Sequence, residues 1–210
     1  MKGLILDGGL HAQATTSHLR SVLEGIGNQL GWHVQSLVLR EEKIAYCLGC
    51  FECWTSSPGL CRIDDEGRAV ADAVIHSDLV IYLTPVTFGG YSSVLKKAID
   101  RNIYLISPFF TKIDGEVHHQ VRYEHYPMIL GVGSLPQPDP GQAAIFAKLI
   151  ERNAITMHAP AHAAVVVDET QEPAQVAATL QRECRRLQYG WLENGSFGKR
   201  ETSVFKQSPL

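Results

Sequence analysis

No apolar run in this chain reaches the roughly 18 residues that a membrane-spanning helix needs. Nor does charge of one sign dominate: the formal net charge is −3 over 210 residues. The first absence excludes a helical membrane span, the second a general nucleic-acid or anionic-membrane surface. Cysteine is sparse, at five residues. Met1 to Asp7 reads as a short strand running into a turn and lacks the long apolar region and small-residue cleavage site of a secretion signal. A cytoplasmic protein is therefore expected, whose cysteines do not form structural disulfides. There is no internal repeat and no low-complexity segment. The chain also lacks G-x-x-x-x-G-K-S/T and G-x-G-x-x-G, the standard triphosphate and dinucleotide loops.

Otherwise the composition is ordinary for a globular protein, 45% apolar and 20% charged. The length suits one core and one domain, expected over residues 1–190. Residues 191–210 read as a tail, either an arm over a neighbouring subunit or a frayed end.

The stretch Asp78–Gly90 organises the rest. Leu79–Leu83 is a β-rich apolar run suited to a strand buried on both faces. Thr84-Pro85 stops it, and Gly89-Gly90 closes a loop that lets backbone approach a ligand. Further strands are expected at Gly3–Leu6, His33–Leu39, Pro127–Val132 and Ala163–Val167. Helical patterns run through Leu19–Leu30, Ala69–Val74, Ser92–Ile106, Gln142–Met157 and Pro173–Tyr189. Asp64-Asp65-Glu66 reads as a helix start, since acidic residues complement the first turn. Lys96 and Lys97 read as a solvated face, and Asp100 and Arg101 as a surface pair. Cys184 reads as a packed thiol. Pro108–Tyr126 interrupts the rhythm as a long loop, a lid or a subunit contact; adjacent His118 and His119 would point apart on a strand, and a metal site there is not expected.

Five strands alternating with five helices imply an α/β fold, a doubly wound parallel sheet in the order 2-1-3-4-5 with helices on both faces. Three loops then meet at the carboxyl ends of adjacent strands: 8–17, 84–90 and 131–134. The first carries hydroxyls at a helix start, suited to a phosphate or simply to an N-cap.

With those loops placed, the chain resembles the NADPH-dependent FMN reductases of the flavodoxin-like fold, and their iron–sulfur flavoprotein branch in particular, over about residues 3–190. Gly8 to Ser17 lies where that family has a G-S-P-R-x-x-G-N-T-S phosphate loop. Gly8, Thr16 and Ser17 are kept; Gly9, Leu10, His11 and Thr15 replace the serine, proline, arginine and asparagine. Thr84 to Gly90 is similar to the T-P-V-Y-F-G loop that holds the isoalloxazine ring. The resemblance implies FMN bound by Gly9, His11, Thr15, Thr16 and Ser17 at the phosphate. Pro85, Val86, Thr87, Phe88, Gly89 and Gly90 would line the ring, with Gly131, Val132, Gly133 and Ser134 on its other side. NAD(P)H would be the electron donor and a small molecule the acceptor, such as a quinone, a nitro or azo compound, or free flavin. Because the flavin does the chemistry, no general acid or base is nominated. A homodimer or homotetramer is implied by the same analogy.

The family's second signature is C-x2-C-x2-C-x7-C, here Cys47, Cys50, Cys53 and Cys61. Four thiolates in one loop suit a 4Fe–4S cluster or, less naturally, zinc; packed reduced thiols are the third reading. Pro58-Gly59 would turn the chain so that Cys61 returns to the other three. Besides the enzyme, two readings stay open. One is an FMN and iron–sulfur electron-transfer module reduced by a protein partner; the other is a flavodoxin-like protein that binds no flavin.

Overall fold

The computed structural model describes residues 1–12 and 14–193. Of the residues expected to form a tail, 194–210 lie outside the described residues. Trp191 is inside the last helix and packs against the core.

The elements run β1 (Lys2–Asp7), α1 (Ala14–Gln29), β2 (His33–Val38), α2 (Glu66–Ile75), β3 (Leu79–Pro85), α3 (Ser93–Asp100), a 3-10 turn (Arg101–Leu105), β4 (Ile106–Ile113), β5 (Glu116–Val121), β6 (Met128–Leu135), α4 (Pro140–Thr156), β7 (His162–Asp168) and α5 (Pro173–Glu193). Five parallel strands form one sheet in the order β2-β1-β3-β6-β7. Leaving out the β4–β5 pair, this is the expected doubly wound order, with the switch point between β1 and β3.

Strand alternation sorts the core into two layers. Leu4, Leu6, Val80 and Tyr82 face α2, α3 and α4, whereas Ile5, Ile81, Leu83, Leu130 and Val132 face α1 and α5. Cys184 is fully buried in the second layer, where burial pushes its thiol up to about 12. It is a packing residue.

Four expectations are corrected. The 107–126 segment is not a long loop: β4 and β5 form an antiparallel hairpin through Asp114-Gly115, both at positive φ, the pairing that a tight hairpin turn favours. The third helix stops at Asp100 instead of running to Ile106, because the next residue turns inward. Arg101 is 1% exposed and bonds Asp65, not Asp100, which pairs with Lys96. Finally, Gly131–Ser134 is not a loop but the buried second half of β6.

The glycines of β6 make room for α4. A Cβ on Gly131 would collide with the buried side chain of Ile150, and one on Gly133 would stand 2.5 Å from Val86 Cγ2 and 3.2 Å from Phe146 Cε1. Gly131→Ala should therefore lower stability by about 1–3 kcal/mol through overpacking, read as a lower denaturation midpoint at unchanged slope.

Candidate functional site

The carboxyl ends of β1, β3 and β6 open onto one edge of the molecule, and the first two are clamped together there. Gly8 N–H donates to the Leu83 carbonyl at 2.7 Å. Ser92 Oγ donates to the Gly8 carbonyl at 2.6 Å and accepts from Leu95 N–H at 3.2 Å, which makes it the N-cap of α3. Thr84 Oγ1 accepts from Ser92 N–H at 2.9 Å. One buried serine thus joins the first loop, the end of β3 and the start of α3.

Asp7 ends β1 with no exposure; its Oδ1 accepts from Gly9 N–H at 2.9 Å and its Oδ2 from Arg20 Nη1 at 3.0 Å. The Gly9 amide therefore points into the protein. This glycine serves as a spacer, since a Cβ would lie 2.6 Å from Thr16 Oγ1. His11 is exposed, Thr16 buried, and Thr15 and Ser17 half-buried in the first turn of α1, which holds no acidic residue. The Thr15 hydroxyl donates to Glu169 at 2.7 Å.

At the end of β3, Thr87 and Gly90 exchange both backbone bonds, N–H to carbonyl at 3.0 and 2.9 Å. Phe88 and Gly89 between them both adopt positive φ, 50° and 74°, which defines a tight mirror-image turn. Phe88 is 94% exposed at its tip. Gly89 N–H donates to Gln142 Oε1 at 3.2 Å. Gln142 is itself held by Asp139, the N-cap of α4; those bonds hold the Asp139 carboxyl below the usual range. Pro85 is half-buried, whereas Val86 packs into the core against the Gly133 backbone.

Gly131, Val132 and Gly133 are thus core backbone rather than a ring-flanking loop, and Ser134 is buried, its carbonyl accepting from Val86 N–H at 2.9 Å. The loop that does leave β6 here is 136–139. Sequence reasoning missed Asp7, Arg20, Ser92, Asp139, Gln142 and Glu169. The readable signals among them were Ser92 ahead of a helical pattern and Asp139-Pro140, a cap followed by proline at the first helical position.

The cysteine loop lies between β2 and α2. Gly59, at φ 82°, donates its N–H to the Cys53 carbonyl at 2.9 Å, so Pro58-Gly59 does turn the chain back. Cys47 and Cys50 are exposed, Cys61 half-buried and Cys53 buried. All four line one cavity of about 40 Å³ together with Arg101, Ile103 and Tyr104. Burial raises the Cys53 thiol pKa, and the nearby Cys61, Cys47 and Cys50 push it the same way. Arg101 Nε is buried without a partner among the described residues. A donor set of four thiols with an unpaired buried guanidinium N–H fits an anionic, thiolate-held group in its chemistry. In this arrangement, however, no three His, Cys, Asp or Glu side chains among the described residues are gathered to hold a metal ion. Trp54 docks the loop on the hairpin side, donating Nε1–H to the carbonyls of Ile103 and Ile106, stacking with Phe51 and meeting the His119 ring at a tilt.

Known proteins share this fold and part of this sequence. The chain is 31% identical over 88 residues to an iron–sulfur flavoprotein of Methanocaldococcus jannaschii, a match covering 42% of this chain and 44% of that one. It is 28% identical over 102 residues to an iron–sulfur flavoprotein of Archaeoglobus fulgidus, covering 49% of each. The matched part is thus about half the length of these relatives. Among solved structures, the NAD(P)H:quinone oxidoreductase of Methanothermobacter marburgensis has a TM-score of 0.64 at 11% identity, covering 92% of this chain and 97% of that one. The FMN-dependent NADH-azoreductase of Bacillus anthracis, in complex with FMN, has a TM-score of 0.61 at 10% identity, covering 90% and 98%. At such identities these two establish the shared fold. Residues 1–119, which contain the first loop, the cysteine loop and the Thr87–Gly90 turn, match the NADPH-dependent FMN reductases, and the chain belongs to that family.

Proposed function

We propose that this protein is an FMN-dependent oxidoreductase that takes electrons from NAD(P)H and passes them to a small acceptor, a quinone, a nitro or azo compound, or free flavin. The observation that carries the reading is the Thr87–Gly90 turn. Its Thr87 and Phe88 are exposed while Gly89 is buried; it is held by Gln142 in a conformation of two successive positive φ angles, and tied through Thr84 and Ser92 to the loop that opens α1. Bound FMN would supply hydride acceptance and the release of electrons singly or in pairs. The chain's own part is to bind and orient it. The first turn of α1 offers hydroxyls and a positive helix end to the phosphate, and the Gly89 N–H is a donor that the turn can pass from Gln142 to the ring's polar edge. Cys47, Cys50, Cys53 and Cys61 are the residues that would hold an iron–sulfur cluster, which would supply one-electron transfer. Association into a homodimer or homotetramer in the cytoplasm belongs to the same reading; Phe88, Phe109 and Phe110 are exposed apolar surface that a second subunit would cover.

FMN titration with fluorescence quenching, followed by NADPH oxidation under an acceptor series, tests the proposal. One FMN bound per chain, reduced by NADPH, is the expected result; a folded protein that binds no FMN would end it. Gly89→Val should keep the fold and weaken FMN binding by about tenfold, since a β-branched residue at this φ is strained and its Cβ would lie 2.5 Å from Ile145 Cγ2. Wild-type affinity in that variant would remove the turn from the site.

A further inference from the structure

Three donors that a bound flavin would draw on already hold side-chain oxygens of this chain: Gly9 N–H on Asp7, Gly89 N–H on Gln142, and the Thr15 hydroxyl on Glu169. They differ in how easily they are released. Asp7 has no exposure and neutralises Arg20, so it stays. Gln142 is uncharged and costs a ring edge nothing in repulsion. Glu169 is exposed and charged, and it stands at the start of α1, where the phosphate belongs on the reading above.

Its placement is built rather than incidental. Glu169 N–H donates to the Leu135 carbonyl at 3.2 Å, which fixes its backbone across the ends of β6 and β7. Asp168 immobilises the residue on the other side of Glu169, accepting from Thr170 N–H at 3.0 Å and from Thr170 Oγ1 at 2.5 Å. The carboxylate reaches α1 at the Thr15 hydroxyl, and among the described residues it enters no ion pair. The segment from Gly8 to Ser17 carries no lysine or arginine, so it brings no permanent positive charge of its own. A helix start that presents a carboxylate and no cation is poorly matched to a dianionic phosphate.

We propose that Glu169 is a specificity-determining residue that occupies the anion position at the α1 terminus in the flavin-free chain, so that the phosphate of FMN must displace it while uncharged riboflavin need not. This rests on the FMN-reductase reading and deepens it. The consequence is a weak preference for FMN over riboflavin. Glu169 acts through charge and through its claim on the Thr15 hydroxyl; it takes no part in electron transfer.

The test is a set of equilibrium titrations of FMN and of riboflavin into the wild type, Glu169→Gln and Thr15→Ala, at fixed low ionic strength, with thermal midpoints recorded alongside. In Glu169→Gln, FMN affinity should rise by about tenfold, the order expected for removing one nearby like charge, while riboflavin affinity stays within about twofold. In Thr15→Ala, FMN should lose affinity relative to riboflavin. An FMN-to-riboflavin ratio unchanged by Glu169→Gln would overturn the proposal and leave the flavin site standing. A parallel rise for both flavins would also overturn it, by making the effect one of loop packing rather than charge. A wild type blind to both flavins alongside a Glu169→Gln variant that binds FMN would support it in its strongest form. If no variant binds either flavin, the proposal and the underlying reading fall together.

Discussion

Arg101→Met should lower stability by about 3–5 kcal/mol, because removing one partner of a buried pair leaves the other charge uncompensated. The guanidinium holds Asp65 with two contacts, Nη1 to Oδ2 at 2.9 Å and Nη2 to Oδ1 at 2.8 Å, and also reaches the carbonyls of Ala45 at 3.0 Å and Ile63 at 3.2 Å. Asp65 in turn caps α2 through Gly67 N–H and accepts from Ala45 N–H. One ion pair therefore fastens both ends of the cysteine segment to α2. Burial pushes the Asp65 carboxyl up, but the bonds from Arg101, Ala45 and Gly67 outweigh it and hold its pKa below the usual carboxylate value. A carboxyl depressed in the folded state contributes fully above the unfolded pKa of about 3.9, and the contribution is lost as pH falls through the lower folded value. Urea midpoints across pH 2–7 should show this acid-dependent loss in the wild type and a smaller one in the variant, where the bonds from Ala45 and Gly67 to Asp65 remain. Thiol alkylation supplies a second reading: Cys53 and Cys61 should react faster once the loop is unfastened. The double variant Asp65→Leu/Arg101→Met should recover part of the loss, since it leaves no orphan charge but still lacks the α2 cap and the acceptor for Ala45 N–H. Equal losses in the single and double variants would show that shape, not charge, holds this junction.

That pair also marks where sequence reasoning runs out. Periodicity located the five sheet strands, because a doubly covered parallel sheet writes continuous apolar runs such as Leu79–Leu83; their order came from the alternation of strands with helices. The cap at Asp65 was legible from an acidic run ahead of an apolar helix. Its partner was not, because Arg101 is 36 residues away and follows Asp100 in what reads as a helix surface. Gly131 and Gly133 were read as ligand-approach glycines for a reason intrinsic to glycine: a close approach of helix α4 and a close approach of a ligand ask for the same missing Cβ. The hairpin had a signal, Asp114-Gly115, but irregular alternation on its flanks masked it. Of the loops read as flavin-binding, Thr84–Gly90 shows the expected end of a buried strand and the two closing glycines. In the first loop, no local pattern reports that Gly9 N–H turns toward Asp7 or that Glu169, 154 residues from Thr15, meets it.

Gly8→Ala should combine the other large effects, a fall in stability of about 1–3 kcal/mol and FMN binding weaker by about a hundredfold. An added Cβ would stand 2.6 Å from Leu95 Cβ, 2.9 Å from Ser92 Oγ and 3.2 Å from the Leu83 carbonyl. None of these neighbours is a flexible side-chain end: Leu95 Cβ is fixed to its helix, Ser92 caps α3, and Leu83 is β3 backbone. The loop would have to lift off α3, which stretches the Ser92-to-Gly8 bond and displaces the α1 hydroxyls relative to the Thr87–Gly90 turn. A hundredfold loss is the equivalent of one or two charge-assisted hydrogen bonds to the phosphate. Gly25→Ala is the contrasting substitution. It lies within α1 with no atom outside that helix's own backbone within 4 Å of the new Cβ, so it should leave FMN binding unchanged and raise stability by about 0.4–1 kcal/mol. If Gly8→Ala instead melted with the wild type and kept its FMN affinity, the contact between the first loop and α3 would be looser than these distances require. The two loops proposed to bind flavin would then have to be positioned independently of each other.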